Sequence, residues 1–358
     1  FGEQSVARIS EAFATVKTDN FNIDSLGGTI KCGKIVKQLA LDLKKNPLGT
    51  ASKYILDHYA KKWQSHQGKI TLGLSVYGLK NNAREVQKIG IILKSTLKKS
   101  GTSLRLIPNQ QPALSTATSH NNKLGSAENK IELLIIKTQQ NIIIAESCGV
   151  QNITAYTFRD RNRPKRDAFV GMLPPKLAQI MVNLAVGTSQ FSDDVRDSHI
   201  LDPFCGTGTV LQEALLKGYC VHGSDLSQKM IDYTIENLSW LQKTHNNLGT
   251  VLSIRQGDAT EFQWVEAHFL TAVVCEAYLG QPFSAPPKSE KLKEVFGNCN
   301  HIISNFLINL RSQISSQTIV CLAIPAWRGL DGNFTHLPLI KQLKNLGYKQ
   351  LNRQQLLY

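Results

Sequence analysis

Long apolar runs are missing from this chain. The most apolar stretch, residues 131–145, is interrupted by Glu132 and by the polar residues 137–141. A membrane-spanning helix needs roughly 20 consecutive apolar residues, so we expect no membrane partner. The first residue is Phe1, and residues 1–10 lack the basic start and apolar middle of a signal peptide. We therefore expect the sequence to be a fragment of a longer protein.

Closely spaced cysteine pairs are also missing. The seven cysteines are scattered and form no C-x-x-C pair, which argues against a zinc site and against a disulfide framework. We therefore expect no metal and a reducing compartment, the cytoplasm. With 42% hydrophobic and 19% charged residues over 358 positions, the composition is that of ordinary globular domains.

Acidic residues are scarce in the N-terminal half. Residues 1–170 contain 26 Lys and Arg against 12 Asp and Glu, a net charge of +14, whereas residues 171–358 contain 15 of each. A basic half joined to a neutral half suggests that one part holds a polyanion, most simply nucleic acid, while the other carries out chemistry. The alternative is a basic surface that only keeps the protein in solution.

The N-terminal half alternates between helical and strand-like patterns. Residues 52–65 and 82–98 carry apolar side chains at helical spacing. The strand-like segments are residues 69–77, 103–107 and 131–145. Residues 110–126, rich in Ser, Thr, Asn and Gly, are predicted to be a long loop. These patterns indicate a small α+β unit.

Residues 159–175, RDRNRPKRDAFVGMLPP, combine five basic residues with three prolines. Pro174 and Pro175 suit the start of the helix predicted over 176–186, because the N–H group that proline lacks would be unpaired there. The basic run has two interpretations, a solvated linker or a segment that contacts phosphate groups.

Strands and longer helices alternate from residue 199 onward. The predicted strands are 199–202, 220–225, 251–256, 271–275 and 318–323, and the predicted helices are 209–217, 230–243 and 301–314. This order is typical of a doubly wound, Rossmann-like α/β sheet.

A glycine-containing loop follows the first of these strands. Gly206 and Gly208 allow a ligand to approach the backbone closely, and the helix that follows offers N–H donors to an anionic group. The next strand ends at Asp225, whose carboxylate can accept hydrogen bonds from ribose hydroxyls. Asp258 follows the third strand and is expected at the same edge of the sheet. The sequence therefore predicts a site for a nucleoside-containing cofactor.

Leu211 stands where the dinucleotide fingerprint G-x-G-x-x-G requires glycine, which disfavours NAD. Residues 202–218, DPFCGTGTVLQEALLKG, resemble motif I of S-adenosylmethionine-dependent amino-methyltransferases that act on nucleic acids. Residues 171–185, with the preceding RDRNRPKRD, resemble the segment that joins a THUMP domain to the catalytic domain in the tRNA guanine-10 N2-methyltransferase family. Residues 26–36, LGGTIKCGKIV, resemble that family's N-terminal region.

The resemblance implies a domain order and an activity. The order is a partial ferredoxin-like region (1–40), a THUMP domain that docks on tRNA (41–150), a linker (151–175) and a class I methyltransferase domain (176–358). The implied reaction is methylation of the N2 amine of a guanine in tRNA, at position 10, with S-adenosylmethionine as cofactor. Eukaryotic relatives use a small zinc-binding activator, for which this sequence offers no test.

The resemblance also assigns cofactor-binding residues. Asp202, Gly206 and Gly208 would hold the methionine end of the cofactor, and Phe204 in the same loop is also expected to bind the cofactor. Asp225 would then bind the ribose, and Asp258 the adenine.

The expected catalytic motif departs from the family pattern. The family has Asp-Pro-Pro-Tyr after the fourth strand, whereas this sequence has CEAYLG at 275–280, without either proline. Glu276 takes the position of the acid, and Tyr278 lies one place early for the stacking aromatic residue. We expect both to be catalytic; the alternative is a buried structural Glu followed by a core Tyr.

Three functions fit these observations. The first is a tRNA guanine-N2 methyltransferase. The second is an amino-methyltransferase acting on ribosomal RNA or DNA, because the glycine loop does not identify the base. The third is a catalytically inactive tRNA-binding protein, which the missing prolines suggest.

Overall fold

The chain divides into two compact units. The computed structural model describes residues 6–8, 12–18, 21–42, 46–64, 66–167, 172–187, 197–264, 267–280, 289–328 and 333–351. The N-terminal unit contains Thr29–Ala155 and the described part of Gln4–Asp24. The C-terminal unit contains Ser25–Gly28 and the described residues from Tyr156 onward. Each unit has its own sheet and its own core.

The N-terminal unit is built on a mixed sheet of five strands. Two short strands, β1 (Val6–Arg8) and β2 (Ala14–Val16), pair separately. The main sheet contains β3 (Lys31–Ala40), β4 (Lys69–Tyr77), β5 (Ser103–Leu106), β6 (Lys130–Lys137) and β7 (Asn141–Val150), in the order β3-β7-β6-β4-β5. The β3–β7 and β7–β6 pairs are antiparallel, whereas β6–β4 and β4–β5 are parallel. The predicted α+β architecture is therefore present.

Two helices cover one face of this sheet, α1 (Pro47–Lys62) and α2 (Ala83–Lys99). The side chain of Asn82 accepts a hydrogen bond from the backbone of Glu85, whose side chain accepts one in return from the backbone of Asn82. This capping box fixes the start of α2. The side chains of Leu114 and Leu124 pack against Gly73 of β4 and leave no room for a side chain there. Nearly every residue of β4 is buried, so its two faces do not alternate between buried and exposed.

Two sequence predictions in this unit need correction. Residues 131–145 are two antiparallel strands, and the polar residues between them form a turn in which the hydroxyl of Thr138 accepts hydrogen bonds from the backbone of Gln140 and Asn141. The predicted loop 110–126 contains a short helix, α3 (Thr116–Asn121), whose first turn is capped by Ser115. Local hydrogen bonds to Ser and Thr side chains thus stabilise a turn and a helix in segments whose composition predicts a loop.

The predicted boundary between residues 1–40 and 41–150 does not separate compact units. Strand β3 ends at Ala40 and pairs with β7 from Lys31 to its end. It is therefore an edge strand of the same sheet as the segments predicted to form a THUMP domain.

The C-terminal unit contains a parallel sheet of five strands. They are β8 (His199–Asp202), β9 (Cys220–Asp225), β10 (Val251–Gln256), β11 (Ala272–Glu276) and β12 (Ile319–Ala323), in the order β10-β9-β8-β11-β12. Every pair is parallel. The strand predictions agree with these bounds to within a residue, and the doubly wound α/β fold is confirmed.

Helices cover both faces of the parallel sheet. Helix α4 (Ile153–Arg161) crosses the unit boundary, and α5 (Pro175–Val186), α6 (Thr209–Leu216) and α7 (Gln228–Thr244) pack on one face. Helix α8 (Ser289–Arg311) packs on the other and begins earlier than the predicted residue 301. The remaining short elements are β13 (Ala326–Arg328), β14 (Phe334–His336) and α9 (Leu339–Gln342). Among the described residues, no helix is long and apolar enough to cross a membrane.

The basic segment 159–167 is part of the C-terminal unit. The guanidinium of Arg159 donates from Nε to Glu213 Oε1 at 2.8 Å and from Nη2 to Oε2 at 3.3 Å, and both side chains are buried. Arg163 is also buried, and its Nη1 donates to Thr209 Oγ1 at 2.6 Å. These two arginines therefore bind protein groups, contrary to both predicted interpretations of the run, whereas Arg161 remains exposed.

Helix α7 holds the same segment from the other side. The amide of Asn237 accepts a hydrogen bond from Lys165 N at 2.8 Å and donates to Lys165 O at 3.0 Å. The predicted linker 151–175 thus includes the whole of helix α4 and a segment bound to the unit that contains the parallel sheet. Composition alone could not show that the segment is bound to the protein, because an exposed linker and a segment with buried arginines can contain the same residues.

We predict that Arg159→Ala destabilises the C-terminal unit by about 3–5 kcal/mol, because it leaves the buried carboxylate of Glu213 without its charge partner. Hydrogen exchange of the β8 and β9 amides is the measurement, and their protection should fall by about 10²-fold or more. Arg161→Ala, on the exposed face of the same helix, is the matched control and should change protection little. Equal effects of the two substitutions would contradict the structural role of Arg159.

Candidate active site

Four acidic residues lie at one edge of the parallel sheet. Asp202, Asp225 and Glu276 are the last residues of β8, β9 and β11, and Asp258 lies two residues after β10. Because parallel strands present their carboxyl ends on the same side, the fold brings these residues to one edge. The strand order reverses between β8 and β11, where ligands bind in such sheets.

The carboxylates are close enough to influence one another. Burial raises the pKa of Asp202 well above its ordinary value, and the negative charges of Asp225 and Glu276 raise it further. A hydrogen bond from Phe204 N to Asp202 Oδ1, at 3.1 Å, opposes this effect only in part. A cation bound among these groups would favour their ionised forms.

Asp225 joins the second strand to the glycine loop. Its Oδ2 accepts a hydrogen bond from Gly206 N at 2.9 Å, and its Oδ1 accepts one from Ser227 N at 2.9 Å. Burial raises the pKa of Asp225 despite these donors. Each carboxylate oxygen retains a second lone pair, so the residue can hold the loop and still accept a ribose hydroxyl.

The two glycines of the loop have different surroundings. Gly206 and Gly208 have φ values of +51° and +85°, in the region that glycine adopts most easily. A Cβ at Gly206 would have Phe204 O, 3.9 Å away, as its nearest neighbour. A Cβ at Gly208 would lie 3.2 Å from the side chain of Thr234. Gly206 therefore borders open space, and Gly208 permits a close contact within the protein.

Two polar residues of α7 support this loop and were not predicted. Thr234 Oγ1 donates to Gly206 O at 2.8 Å, and Asn237 Nδ2 donates to Thr207 O at 2.8 Å. Both side chains are fully buried. Their spacing could have predicted this role, because both residues lie on the helix face that also carries Ile231 and Leu241. A polar side chain on such a buried face needs a hydrogen-bond partner.

Phe204 and Asp258 lie at the predicted edge of the sheet, and each also contacts other residues of the protein. The ring of Phe204 packs edge-to-face against Phe306 of α8, with centroids 5.0 Å apart. Asp258 Oδ1 accepts hydrogen bonds from Thr260 N at 2.9 Å and Thr260 Oγ1 at 2.7 Å. Both residues shape the edge of the sheet, and the role of each in cofactor binding stays a prediction.

The predicted catalytic pair differs from ordinary structural residues. Glu276 is half-buried, burial raises its pKa, and none of the described residues donates a hydrogen bond to its carboxylate. The side chain of Tyr278 is 37% exposed, so it is not a core residue. Ala277 N donates to Ala323 O at 2.9 Å, and Gly280, with φ +86°, lies against Val295. The backbone that carries the pair is therefore fixed on both sides.

The residues at this edge fit S-adenosylmethionine. The cofactor carries positive charge on its sulfonium and amino groups, which suits carboxylates whose pKa values are raised by burial. The open space at Gly206 and the start of α6 leave room for its methionine end. In the part of the chain that the structure describes, no three metal-ligating side chains cluster.

Comparison with known proteins identifies the fold class and the family. Residues 163–304 match the UPF0020 family, described as an RMKL-like methyltransferase domain. The C-terminal unit is thus a methyltransferase domain, and its cofactor is S-adenosylmethionine, as predicted. A probable tRNA (guanine(10)-N2)-dimethyltransferase from Methanothermococcus thermolithotrophicus is 30% identical over 132 residues, which cover 36% of this chain and 73% of that protein. This chain belongs to the tRNA guanine-10 N2-methyltransferase family.

A further relative and a solved structure are similar to this chain over part of their length. A tRNA (guanine(10)-N2)-dimethyltransferase from Methanothermobacter thermautotrophicus is 33% identical over 172 residues, 47% of this chain and 44% of that protein. The chain thus matches less than half the length of this relative. The crystal structure of TrmN from Thermus thermophilus aligns with a TM-score of 0.46 and 16% identity, over 84% of this chain and 75% of that one.

We predict that Asp225→Ala weakens cofactor binding, because it removes the ribose acceptor and the acceptor that holds Gly206. Asp232→Ala is the matched control, an exposed aspartate on α7. Gly206→Val should also weaken binding, since its side chain would enter the open space. Gly101→Val, at another positive-φ glycine with open surroundings, controls for backbone strain. Calorimetric titration with S-adenosylmethionine is the measurement, and unchanged affinity in both site variants would show that the pocket is assigned wrongly.

Proposed function

We propose that this protein methylates the exocyclic N2 amine of a guanine in tRNA, at position 10, with S-adenosylmethionine as methyl donor. The observation that carries the proposal is the half-buried carboxylate of Glu276, which accepts no hydrogen bond from the described residues and lies close enough to Asp202 to raise the pKa of that residue. The family relatives, whose names specify this base and this atom, support the choice of substrate.

The reaction needs help because the amine is a poor nucleophile. The lone pair of the guanine N2 atom is delocalised into the ring. A carboxylate that accepts one N–H of the amine localises that lone pair and directs it at the methyl group. The bound cofactor supplies that methyl group on a positively charged sulfur. Glu276 makes no bond to described protein groups that would compete for this role.

Tyr278 is the proposed platform for the target base. A guanine in a stem must leave the stack to reach the site, which costs about a few kcal/mol. An exposed aromatic ring two residues after Glu276 can stack on the extruded base and offset part of that cost. The positive φ of Gly280 and its packing on Val295 hold this turn in place.

The N-terminal unit is the proposed tRNA-binding part, and we assign it to the THUMP class from the sequence resemblance. Residues 1–155 contain 21 Lys and Arg against 10 Asp and Glu, a net charge of +11 out of the +14 of the whole sequence. Helix α2 presents the exposed cations Lys88, Lys94 and Lys98 along its outer face. A protein that acts on tRNA works where tRNA is abundant, so we assign it to the cytoplasm.

We predict that Glu276→Gln lowers the rate of methyl transfer by about 10²–10³, the usual effect of removing one electrostatic interaction in an active site. The measurement is single-turnover transfer to tRNA at saturating cofactor, with mass spectrometry of the product nucleosides. The rate should also fall on acidification through the raised pKa of Glu276, because only the ionised carboxylate accepts the N–H. That pH dependence should be absent in Glu276→Gln.

Matched variants separate catalysis from folding. Tyr278→Ala should weaken engagement of the base by about 1–3 kcal/mol while cofactor affinity is unchanged. Glu261→Gln, at an exposed acid after β10, is the charge control and should keep the wild-type rate. A Glu276→Gln enzyme with the wild-type rate would show that the acid is structural. Transfer to ribosomal RNA or DNA but not tRNA, or binding of both ligands without transfer, would support the competing functions.

We predict that tRNA affinity depends on the cations of the N-terminal unit. Replacing Lys88, Lys94 and Lys98 together by Gln should weaken binding and reduce the log–log salt slope by about 0.7–0.9 for each phosphate that a lysine no longer neutralises. The control replaces three exposed lysines of the C-terminal unit, Lys243, Lys341 and Lys344. Filter binding across a salt series is the measurement. An equal reduction in both triple variants would contradict a dominant role of α2.

A further inference from the structure

Two cysteines face each other across neighbouring strands of the N-terminal unit. Cys32 lies on β3 and Cys148 on β7, and their sulfur atoms are 3.5 Å apart. The register places Cys32 opposite Gly149 and Gly33 opposite Ser147. Cys148 is therefore the extra residue of a β-bulge, and the bulge turns its thiol toward Cys32.

The surroundings of the two thiols are unequal. Cys148 is exposed, whereas Cys32 is half-buried and can donate to Gly149 O at 3.7 Å. The hydrogen bond between the two thiols, with the sulfur atoms 3.5 Å apart, lowers the pKa of Cys148 to about 7. The same contact, burial and the carboxylate of Asp24 raise the pKa of Cys32. The pair thus combines an exposed sulfur that ionises near neutral pH with a protonated partner behind it.

We propose that Cys32 and Cys148 are a dithiol modification site that hydroperoxides convert to an intramolecular disulfide. This arrangement has the two components of a redox-reactive pair, an accessible thiolate and a resolving thiol within contact distance. The sulfur atoms must approach from 3.5 Å to the bonded distance of about 2.05 Å. The inference does not depend on the proposed function, because it concerns the N-terminal unit alone.

The chemistry balances with hydrogen peroxide as oxidant. The thiolate of Cys148 attacks one peroxide oxygen, the O–O bond breaks, and hydroxide leaves, which gives a sulfenic acid on Cys148. The sulfur of Cys32 then attacks the sulfenic sulfur, and its proton leaves with the hydroxyl group as water. Together the two thiols lose two protons and two electrons, and one peroxide becomes two waters.

The product would join the edge strand β3 covalently to β7. These strands already pair along the length of β3, so the disulfide would preserve the existing register of the two strands. It closes a covalent loop that contains every strand of the main sheet, and such a long loop restricts the unfolded chain strongly. The disulfide form is therefore expected to unfold at higher temperature than the dithiol form.

The test treats the 358-residue chain with hydrogen peroxide and divides the product into two portions. The intact mass of the first portion should fall by two hydrogen atoms, and alkylation and digestion of the second should yield one peptide pair linked through residues 32 and 148. Dithiothreitol should reverse the link. Cys32→Ser should instead accumulate sulfenic acid on Cys148, which a 1,3-diketone traps, and Cys148→Ser should form no link.

The matched control is Cys321→Ser. Cys321 is also partly exposed, but burial raises its pKa to about 11 and it lies on β12 of the other unit. This variant should form the link as the wild type does. Recovery of both Cys32 and Cys148 as alkylated thiols after peroxide treatment would overturn the proposal, as would links between chains in place of the internal one.

A second measurement tests the pair without any oxidant. Iodoacetamide should alkylate Cys148 of the wild type at pH 7, and Cys32→Ala should slow that reaction by about fivefold to tenfold, because alanine cannot make the hydrogen bond that stabilises the thiolate. Thermal unfolding of Cys32→Ala provides the check on folding. An unchanged alkylation rate in a folded Cys32→Ala protein would show that the two thiols do not act together.

Discussion

Parallel pairing of β8 with its neighbours β9 and β11 is the constraint on which the candidate site depends. It places the ends of three strands, and with them Asp202, Asp225 and Glu276, at one edge of the sheet. The distance along the chain between Asp202 and Glu276 is large, and only this pairing brings their charges close together. The glycine loop then occupies the space where the strand order reverses, because it directly follows the central strand.

The cluster of carboxylates has an electrostatic cost in the protein alone. Burial favours the protonated forms of Asp202, Asp225 and Glu276, and the negative charges of the other two raise the pKa of Asp202 further. A ligand that brings positive charge to the cluster removes part of that cost, so its binding and the ionisation of the acids reinforce each other. This gives a physical reason for a cofactor with a sulfonium centre to bind at this edge, apart from any similarity to known proteins.

The segment 159–167 links the arrangement of the site to the rest of the C-terminal unit. Arg163 binds Thr209 at the first residue of α6, and Asn237 binds both Lys165 and the carbonyl of Thr207. The glycine loop is therefore held by α7 and by residues that precede the sheet in the chain. Buried hydrogen bonds of this kind fix a loop geometry more sharply than apolar packing, since an unpaired partner would be left in a dry environment.

The amino-acid sequence determined the elements and their chemistry. Periodicity gave the strands β4, β8, β9 and β10 with their bounds, since a strand of a buried parallel sheet is a short apolar segment flanked by loops. The spacing of Gly206, Gly208 and Asp225 predicted the candidate cofactor site, and a family resemblance suggested the reaction that we propose. These features are local, so they can be recognised from neighbouring residues.

The tertiary structure decided what depends on distant residues. The burial of Arg159 and Arg163 follows from Glu213 and Thr209, which lie about 50 positions further along the chain, so composition indicated only a charged linker. Strand β3 joins the same sheet as β7 because of a pairing between the two ends of the N-terminal unit. That pairing also brings Cys32 to Cys148, although the scattered cysteines indicated no pair. Contacts between residues far apart in the chain form only when helices and strands pack together. A local sequence pattern predicts the helices and strands but not how they pack.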